Sequence, residues 1–526
     1  MNKTQQSTLD LDSDCSSDSP QRHKWQIALP VLLSIVLSMV LSWLMQPIPR
    51  VHDEFAYLLG AETFAAGRLT NPPHEHWQHF ETFHVLQQPT YCSKYPPAMS
   101  LALASGLVTT GNAVPALWLI TALAVAATVW FLQGLVPGRW AMIGGFMMAL
   151  HSGFQIDWGQ SFWGGGVATI GGALVLGGFI RNWRESKLSA SIAMAIGVGL
   201  LANSRPFEGC VLCLPIAVLM VFRIVSEFRS SRAKTVITQV IIPHLIILGV
   251  IAGAMLVYNQ ATTGSLSKMP YQVYQSDYSV SPLFLFQDIG EAPRYNHADI
   301  ETFWTGRVIE KYDSQQSLWG VLNHKLPKME FFFPVWLLPC LVTGIVFAML
   351  NARFRWPALL AIACTGLSML ASAFHPHYVG GLVPVYLLLC VLGLWKISEY
   401  QTSSSFAAGK LISRVILGFH VLGFLVIVLC QILVANHHWS RDRERVINEL
   451  NAIEGKDLVF VSYSDEHNSD EEWVYNGFDL EEAPVLFVRS MGSDRDQAIA
   501  GYYRQRLKWS LNIGDEKKAS LKEWGR

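Results

Sequence analysis

The sequence predicts a mainly α protein: a polytopic membrane bundle of about eleven spanning helices, with interfacial helices in its first outer loop and a small C-terminal α/β domain. Three observations predict it. Charged residues are 15% of the 526 residues and hydrophobic residues 51%, against about 25% charged in soluble domains. Mean hydropathy is +0.28. Apolar runs of near-spanning length recur from residue 25 to residue 435, and composition changes abruptly after them. The net charge of −1 gives no basic field for nucleic acid, and the apolar content excludes disorder for most of the chain.

Residues 1–24, polar and rich in Ser and Asp, read as a disordered cytoplasmic tail. Arg22 and Lys24 precede the first run, Trp25 to Met45. That run is longer than a signal-peptide core and lacks a small-residue cleavage site, which predicts an uncleaved span with its N-terminus inside. Further runs lie at about 113–135, 141–156, 163–180, 188–203, 207–222, 236–258, 331–350, 357–373, 379–396 and 415–435. Pro97–Gly111 is apolar but of intermediate length, and the positive-inside rule decides its role. If it lies in the interface, the short inner loops carry Arg139; Arg181, Arg184 and Lys187; Arg223, Arg229, Arg232 and Lys234; Arg353 and Arg355; and Lys396, Lys410 and Arg414. The short outer loops then carry only Arg205. Counting it as a span inverts this asymmetry, so it is read as interfacial.

The predicted domains are therefore the tail 1–24, a transmembrane domain 25–435 with outer loops 47–112 and 259–330, and an extracytoplasmic domain 436–526. The last carries strand-like runs at Asp457–Tyr463, Glu472–Asn476 and Pro484–Arg489 and a helix near Asp494–Arg506. Glycines at 164–166, 171–172 and 177–178 suit close helix packing. Six of the eight cysteines lie in apolar runs, leaving no disulfide framework. Cys210 and Cys213 read as small buried residues despite their redox-like spacing.

Under this topology the unusual polar residues share the outer side. Asp53 and Glu54 follow the first span, Lys94-Tyr-Pro-Pro97 closes the first loop, and Asp157 with Gln160 follows the third span. Asn203-Ser-Arg-Pro-Phe-Glu208 breaks the region between the fifth and sixth spans, and His375-Pro-His-Tyr378 precedes the tenth. Ionisable groups near membrane depth point to function. A carboxylate can accept the proton of an attacking hydroxyl or amine. Lys94, Arg205 and a protonated His377 can hold a phosphate and stabilise the charge it gains on leaving. Together they describe group transfer from a lipid phosphate outside the cytoplasm. The bland readings stand beside this one: Asp53 and Glu54 as solvated charges, Lys94 as a snorkelling residue, Asp157 as a helix-end acceptor, Arg205 and Glu208 as an ion pair, His377 as an interface residue.

The acidic pair after the first span, the Lys-Tyr-Pro-Pro motif opening an interfacial helix and the acidic residue about a hundred positions later resemble the GT-C glycosyltransferases. The likeness is to glycosyltransferase family 39, the protein mannosyltransferases and bacterial aminoarabinose transferases, over roughly residues 25–400. The resemblance implies an inverting transferase using a polyprenyl-phosphate-linked sugar at the outer face of the plasma (inner) membrane. The acceptor it implies is a protein, lipid or polysaccharide. Asp53 takes the catalytic acidic position with Glu54 beside it, Asp157 the second acidic position, and Lys94 the carrier-phosphate position, with Arg205, His377 and Tyr378 near the donor phosphate. Tyr95 interrupts the family's Lys-Pro-Pro, and the tail is not the family's usual domain. Sugar and acceptor stay open.

His74, His76, His79 and His84 fall close together beside Glu75 and Glu81. They match no standard zinc spacing, so this stretch reads as a hydrated, acceptor-contacting loop or a metal site; a divalent metal is the only cofactor suggested. Asp465–Glu472 reads as a solvated turn. Two competing functions are a transporter or flippase of lipid-linked sugars, which would show matched repeats, and a scaffold recruiting partners through the tail.

Overall fold

The structure is a computed structural model that describes residues 20–229, 232–401, 408–434, 438–464, 467–514 and 519–525. Most of the predicted N-terminal tail lies outside the described residues. Every predicted apolar run is helical. In chain order the first eight helices are α1 (Pro20–Met45), α2 (His52–Ala65), α3 (Ala98–Thr110), α4 (Val114–Gln133), α5 (Gly138–Ala149), α6 (Gly166–Arg184), α7 (Leu188–Ala202) and α8 (Pro206–Phe228). Helices Ile242–Thr263, Leu338–Leu350, Ala352–Ser368, Val383–Glu399 and Ala408–Val434 follow. Among the described residues six helical stretches are long and apolar enough to cross a membrane, or seven if the bent pair Leu318–Phe331 and Val335–Leu350 is one span. The protein is a multi-pass membrane helical bundle. At 13 residues, α3 is about 20 Å long, short of the roughly 30 Å hydrocarbon core.

Polar side chains fix the first span. Ser34, Ser38 and Ser42 recur every fourth residue along one face of α1. Ser38 donates to Gln155 Oε1 at 2.9 Å, Gln155 Nε2 to Ser34 at 2.8 Å, and Ser42 to Gln160 Oε1 at 2.7 Å. Trp118 of α4 donates to Ser42 at 2.8 Å. Such bonds join helices where no water competes, and here they pin the turn after α5 to the end of α1. Glycines let backbones touch, as predicted. A Cβ on Gly172 would meet the Gly381 carbonyl at 1.9 Å, and one on Gly178 the Ala190 carbonyl at 2.6 Å.

The basic loops gather at the other end of the bundle. Arg181 donates to the Trp130 carbonyl and Arg353 to the Leu135 carbonyl, each at 2.8 Å.

In the first loop, β1 (Val85–Leu86) and β2 (Cys92–Ser93) pair antiparallel. The tail begins with a helix at Trp439–Asn451 and folds around a sheet of order β4-β3-β5-β6: β3 (Asp457–Tyr463), β4 (Val485–Arg489), β5 (Leu507–Ile513) and β6 (Ala519–Glu523). β3 pairs parallel with β4 and β5, and β5 antiparallel with β6. The predicted helix is present at Ser493–Tyr502. Glu472–Asn476 is not a strand. Its carbonyls are spent on Arg443, which reaches Trp473 O at 3.1 Å and Tyr475 O at 2.6 Å, so they are not free for a ladder. Nor is Glu472 solvated: it is 1% exposed and paired with Arg489. Asp465 and Glu466 lie outside the described residues.

Candidate active site

Consecutive residues of a helix point about 100° apart, and at the start of α2 this separates Asp53 from Glu54. Glu54 turns inward. One of its oxygens accepts from the Arg50 and Val51 amides at 2.6 and 3.2 Å, and the other from the Phe162 amide at 2.9 Å. It therefore caps α2 and ties the first loop to the turn beyond α5. Burial pushes its carboxyl up to about 7, against the pull of those amides. Arg50 feels both Glu54 and Asp157. Asp157 is exposed, so Glu54 and Asp157 form one electrostatic group around Arg50.

Asp53 turns the other way, into an aromatic box. The Tyr95 hydroxyl donates to its Oδ1 at 2.5 Å, and His84 Nε2 stands 3.9 Å from its Oδ2. Tyr57 stacks on Tyr95 with centroids 4.6 Å apart. Lys94 is 6% exposed. Its Nζ lies 4.6, 5.1 and 5.3 Å from the ring centres of Tyr274, Tyr95 and Tyr271, a cation held by ring faces. Burial brings Lys94 down to about 7; Asp53 opposes the shift and Arg205 adds to it. His84 holds a left-handed backbone at φ 66°. Its amide donates to the Tyr274 hydroxyl at 2.9 Å, and its carbonyl accepts from the Lys94 amide at 3.1 Å. Burial, with Lys94 and His52, holds its ring well below the usual imidazole range, so it is neutral.

Two backbone links bring the second cation in. The Ser100 hydroxyl of α3 donates to the Tyr57 carbonyl at 2.9 Å, and the Ala98 amide donates to the Asn203 carbonyl at 3.0 Å. The start of α3 thus carries Lys94 on one flank and the 203–205 turn on the other. Arg205 caps α8 with its guanidinium 4.7 Å from the Tyr378 ring centre, and its Nη2 is buried with no hydrogen-bond partner. A buried unpaired guanidinium nitrogen is costly, and an anion relieves that cost. His377 is 2% exposed and packs edge-on against Trp163, centroids 4.5 Å apart. Trp163 also lines a narrow apolar gap of about 10 Å³, room for roughly one water, together with Met99, Leu117, Ile120, Phe154 and Trp158 among others.

The predicted residues therefore fall in two groups. Asp53, Lys94, Arg205 and Tyr378 share the aromatic box, with His377 at its edge; Glu54 and Asp157 share Arg50 on the opposite flank of α2. Sequence reasoning missed Tyr57, Tyr271 and Tyr274, which are far apart in sequence with no spacing signal.

Three of the four histidines sit together, with ring centroids 5.8 Å apart for His74 and His76 and 6.4 Å apart for His76 and His79, and each has its own partner. His74 meets the Tyr503 hydroxyl at 3.0 Å, His79 the Arg489 carbonyl at 2.8 Å, and His76 lies 3.5 Å from Glu75. His84 alone faces Asp53. Among the described residues no group of three or more His, Cys, Asp or Glu side chains is placed to hold a metal ion.

The tail completes the wall. Tyr475 stacks on Phe55 at 4.2 Å and 2°, and its hydroxyl meets His52 Nδ1 at 2.7 Å. Arg489 joins Glu472, Asp299 (2.5 Å) and the Glu81 carbonyl (2.7 Å), clasping tail and both outer loops together.

No protein-family model matches the chain, and no curated protein does. Solved structures do. ArnT from Cupriavidus metallidurans bound to undecaprenyl phosphate superposes with a TM-score of 0.52 at 12% identity, covering 93% of each chain. The same protein in the apo state gives 0.52 at 13% identity, covering 94% of this chain and 93% of that one. AglB from Archaeoglobus fulgidus, an oligosaccharyltransferase in complex with an inhibitory peptide and a dolichol-phosphate, gives 0.49 at 12% identity over 94% and 69%. The likeness to ArnT extends from end to end and lies in the fold.

Proposed function

We propose that this chain, with the GT-C fold it shares with ArnT, is a glycosyltransferase that moves a sugar from a polyprenyl-phosphate donor to an acceptor outside the cytoplasm. The observation that carries this reading is a pair of cations beside Asp53, the buried Lys94 and the half-buried Arg205, whose Nη2 is buried and unpaired. The undecaprenyl phosphate bound to ArnT supports a lipid phosphate as what they hold.

The reaction follows from the placement. The acceptor hydroxyl or amine attacks the anomeric carbon from the face away from phosphate. The carbon–oxygen bond to phosphate breaks, and its electron pair stays on the phosphate oxygen. Lys94 and Arg205 stabilise that growing charge, where fixed donors act most strongly. Asp53 takes the acceptor proton, held by the Tyr95 hydroxyl. Backside attack inverts the anomeric centre. Glu54 is a positioning residue, and Asp157 steadies Arg50. His377 and Tyr378 border the phosphate.

In this reading the chain crosses the plasma membrane eleven times, with residues 1–24 in the cytoplasm, the transmembrane domain at 25–435 and the 436–526 domain outside. The positive loops at the far end of the bundle support that orientation. The test is Asp53→Asn. It keeps insertion and donor binding and lowers transfer by about 10²–10⁴-fold; transfer at the wild-type rate removes Asp53 from the mechanism.

A further inference from the structure

A second set of cations lies beside the first and has no role in it. The Leu318–Lys325 helix runs into a short 3-10 turn, Pro327–Phe331, and this stretch meets the following span at 85°. A helix nearly perpendicular to a span lies along the membrane surface. Its side chains divide accordingly. Leu318, Trp319 and Leu326 are 77%, 71% and 55% exposed, as expected of residues dipping into lipid. Lys325 and Lys328 turn inward onto the 369–375 turn. Lys325 Nζ donates to the Met369 and Ala371 carbonyls at 2.6 and 2.5 Å, and Lys328 Nζ to the Phe374 carbonyl at 2.7 Å. Gln315 bridges the Lys311 and Ser372 carbonyls at 2.6 and 3.2 Å, bringing Lys311 to the same turn.

His375 follows directly. Its ring stacks on His377 at 5.5 Å and lies 5.8 Å from Tyr378, whose ring carries Arg205. Two neutral imidazole rings thus stand between the lysines at the membrane surface and Arg205 at the donor site. Burial, then the charges of Lys311, Lys328, Arg205 and His324, drives His375 down to about 3, so its ring is neutral. Carboxylates on the same elements, Glu310, Asp313 and Glu330, are exposed. Among the described residues none of them pairs with Lys311, Lys325, Lys328, His324 or His375, and Lys311 alone feels an acidic group, Asp470, already paired with Arg307. Like charges gathered without a counter-ion repel one another, and an anion would settle them.

We propose that Lys311, His324 and Lys328 form a second phosphate site, where the phosphate of a polyprenyl lipid is held at the bilayer surface before it passes His375 to reach Arg205. The identity of the lipid rests on the proposed function; the site itself does not. Lys325, whose protons go to carbonyls, fixes the turn. The exposed Trp319 and Leu326 give the isoprenoid chain a surface while its head is held.

The test uses the intact, detergent-solubilised chain carrying Lys94→Gln and Arg205→Gln, so that both cations of the first site are removed and the second is read alone. Farnesyl phosphate is the probe, with inorganic phosphate in parallel. Farnesyl phosphate is expected to bind, at least tenfold less tightly when K311Q/K328Q is added, with affinity restored by K311R/K328R; inorganic phosphate is expected to bind far more weakly. In the chain with Lys94 and Arg205 intact, K311Q/K328Q is expected to raise the donor KM severalfold at unchanged kcat. Equal binding of inorganic phosphate, or farnesyl phosphate binding indifferent to K311Q/K328Q, overturns the proposal. Loss of the arginine variant's binding along with the glutamine variant's points to damage to the turn and also overturns it. Binding that behaves as expected in a chain without transferase activity would refute the proposed function and leave this site standing.

Discussion

At Asp53 and Lys94 the chemistry rests on two charges of opposite sign held among tyrosine rings, and Lys94 is the group that pH reaches first. Its ammonium titrates near 7 rather than at its unfolded value near 10.5. Between those values the unfolded chain binds more protons, so the unliganded fold gains stability as pH rises through this window. Donor binding has the opposite sign: it needs the ammonium and weakens above about 7. Lys94→Arg, which stays charged, is expected to flatten that decline, measured as donor affinity from pH 6 to 9. Glu54 makes a different prediction. Its two oxygens take three backbone amides, and an amide group in its place sets N–H against N–H. Glu54→Gln is expected to lower stability by about 1–3 kcal/mol, seen as a lower thermal midpoint with donor affinity per folded molecule retained. Asp53 and Lys94 were legible in the sequence because a charge beside an apolar run is costly. The different tasks of Asp53 and Glu54 were not, because the helix phase that parts them is set by the capping of α2.

Each element near the site is placed by its contacts with the next. The serine face of α1 holds Gln155 and Gln160, and α3 links α2 to the Arg205 turn. Close approach of α6 to the Gly380–Gly381 turn sets His377 and Tyr378 at the box. Gly172→Ala is expected to cost about 1–3 kcal/mol through overpacking, because the atom it strikes is the Gly381 backbone carbonyl at 1.9 Å. A drop in thermal midpoint with a raised donor KM would show it. The helices were legible because apolar runs announce themselves through composition. The tail was legible only in part. β3 and the Ser493–Tyr502 helix stood out, whereas Glu472–Asn476 holds the strand-prone residues Trp473, Val474 and Tyr475 and is irregular because Arg443 takes two of its carbonyls. β5 carried a signal in the alternation of Leu507, Trp509, Leu511 and Ile513 that went unread.

Across the whole molecule the bundle, both outer loops and the tail meet around one site. Tyr475 braces the start of α2 from the tail, and Arg489 clasps Glu472, Asp299 and the first loop. Removing the Arg489 charge while Glu472 stays buried leaves an uncompensated carboxylate, which typically costs about 3–5 kcal/mol. Arg489→Met is therefore expected to loosen tail and loops together, read as faster proteolysis near residues 74–84 and 296–307. None of this assembly was legible in the sequence, since its members lie more than four hundred residues apart. The central claim is that Lys94 and Arg205 present a lipid phosphate to Asp53. It is tested most directly by an experimental structure of the intact chain with undecaprenyl phosphate. The phosphate oxygens are expected within hydrogen-bond reach of Lys94 Nζ and Arg205 Nη2; a phosphate bound away from both cations, with Arg205 Nη2 still unpaired, would contradict it.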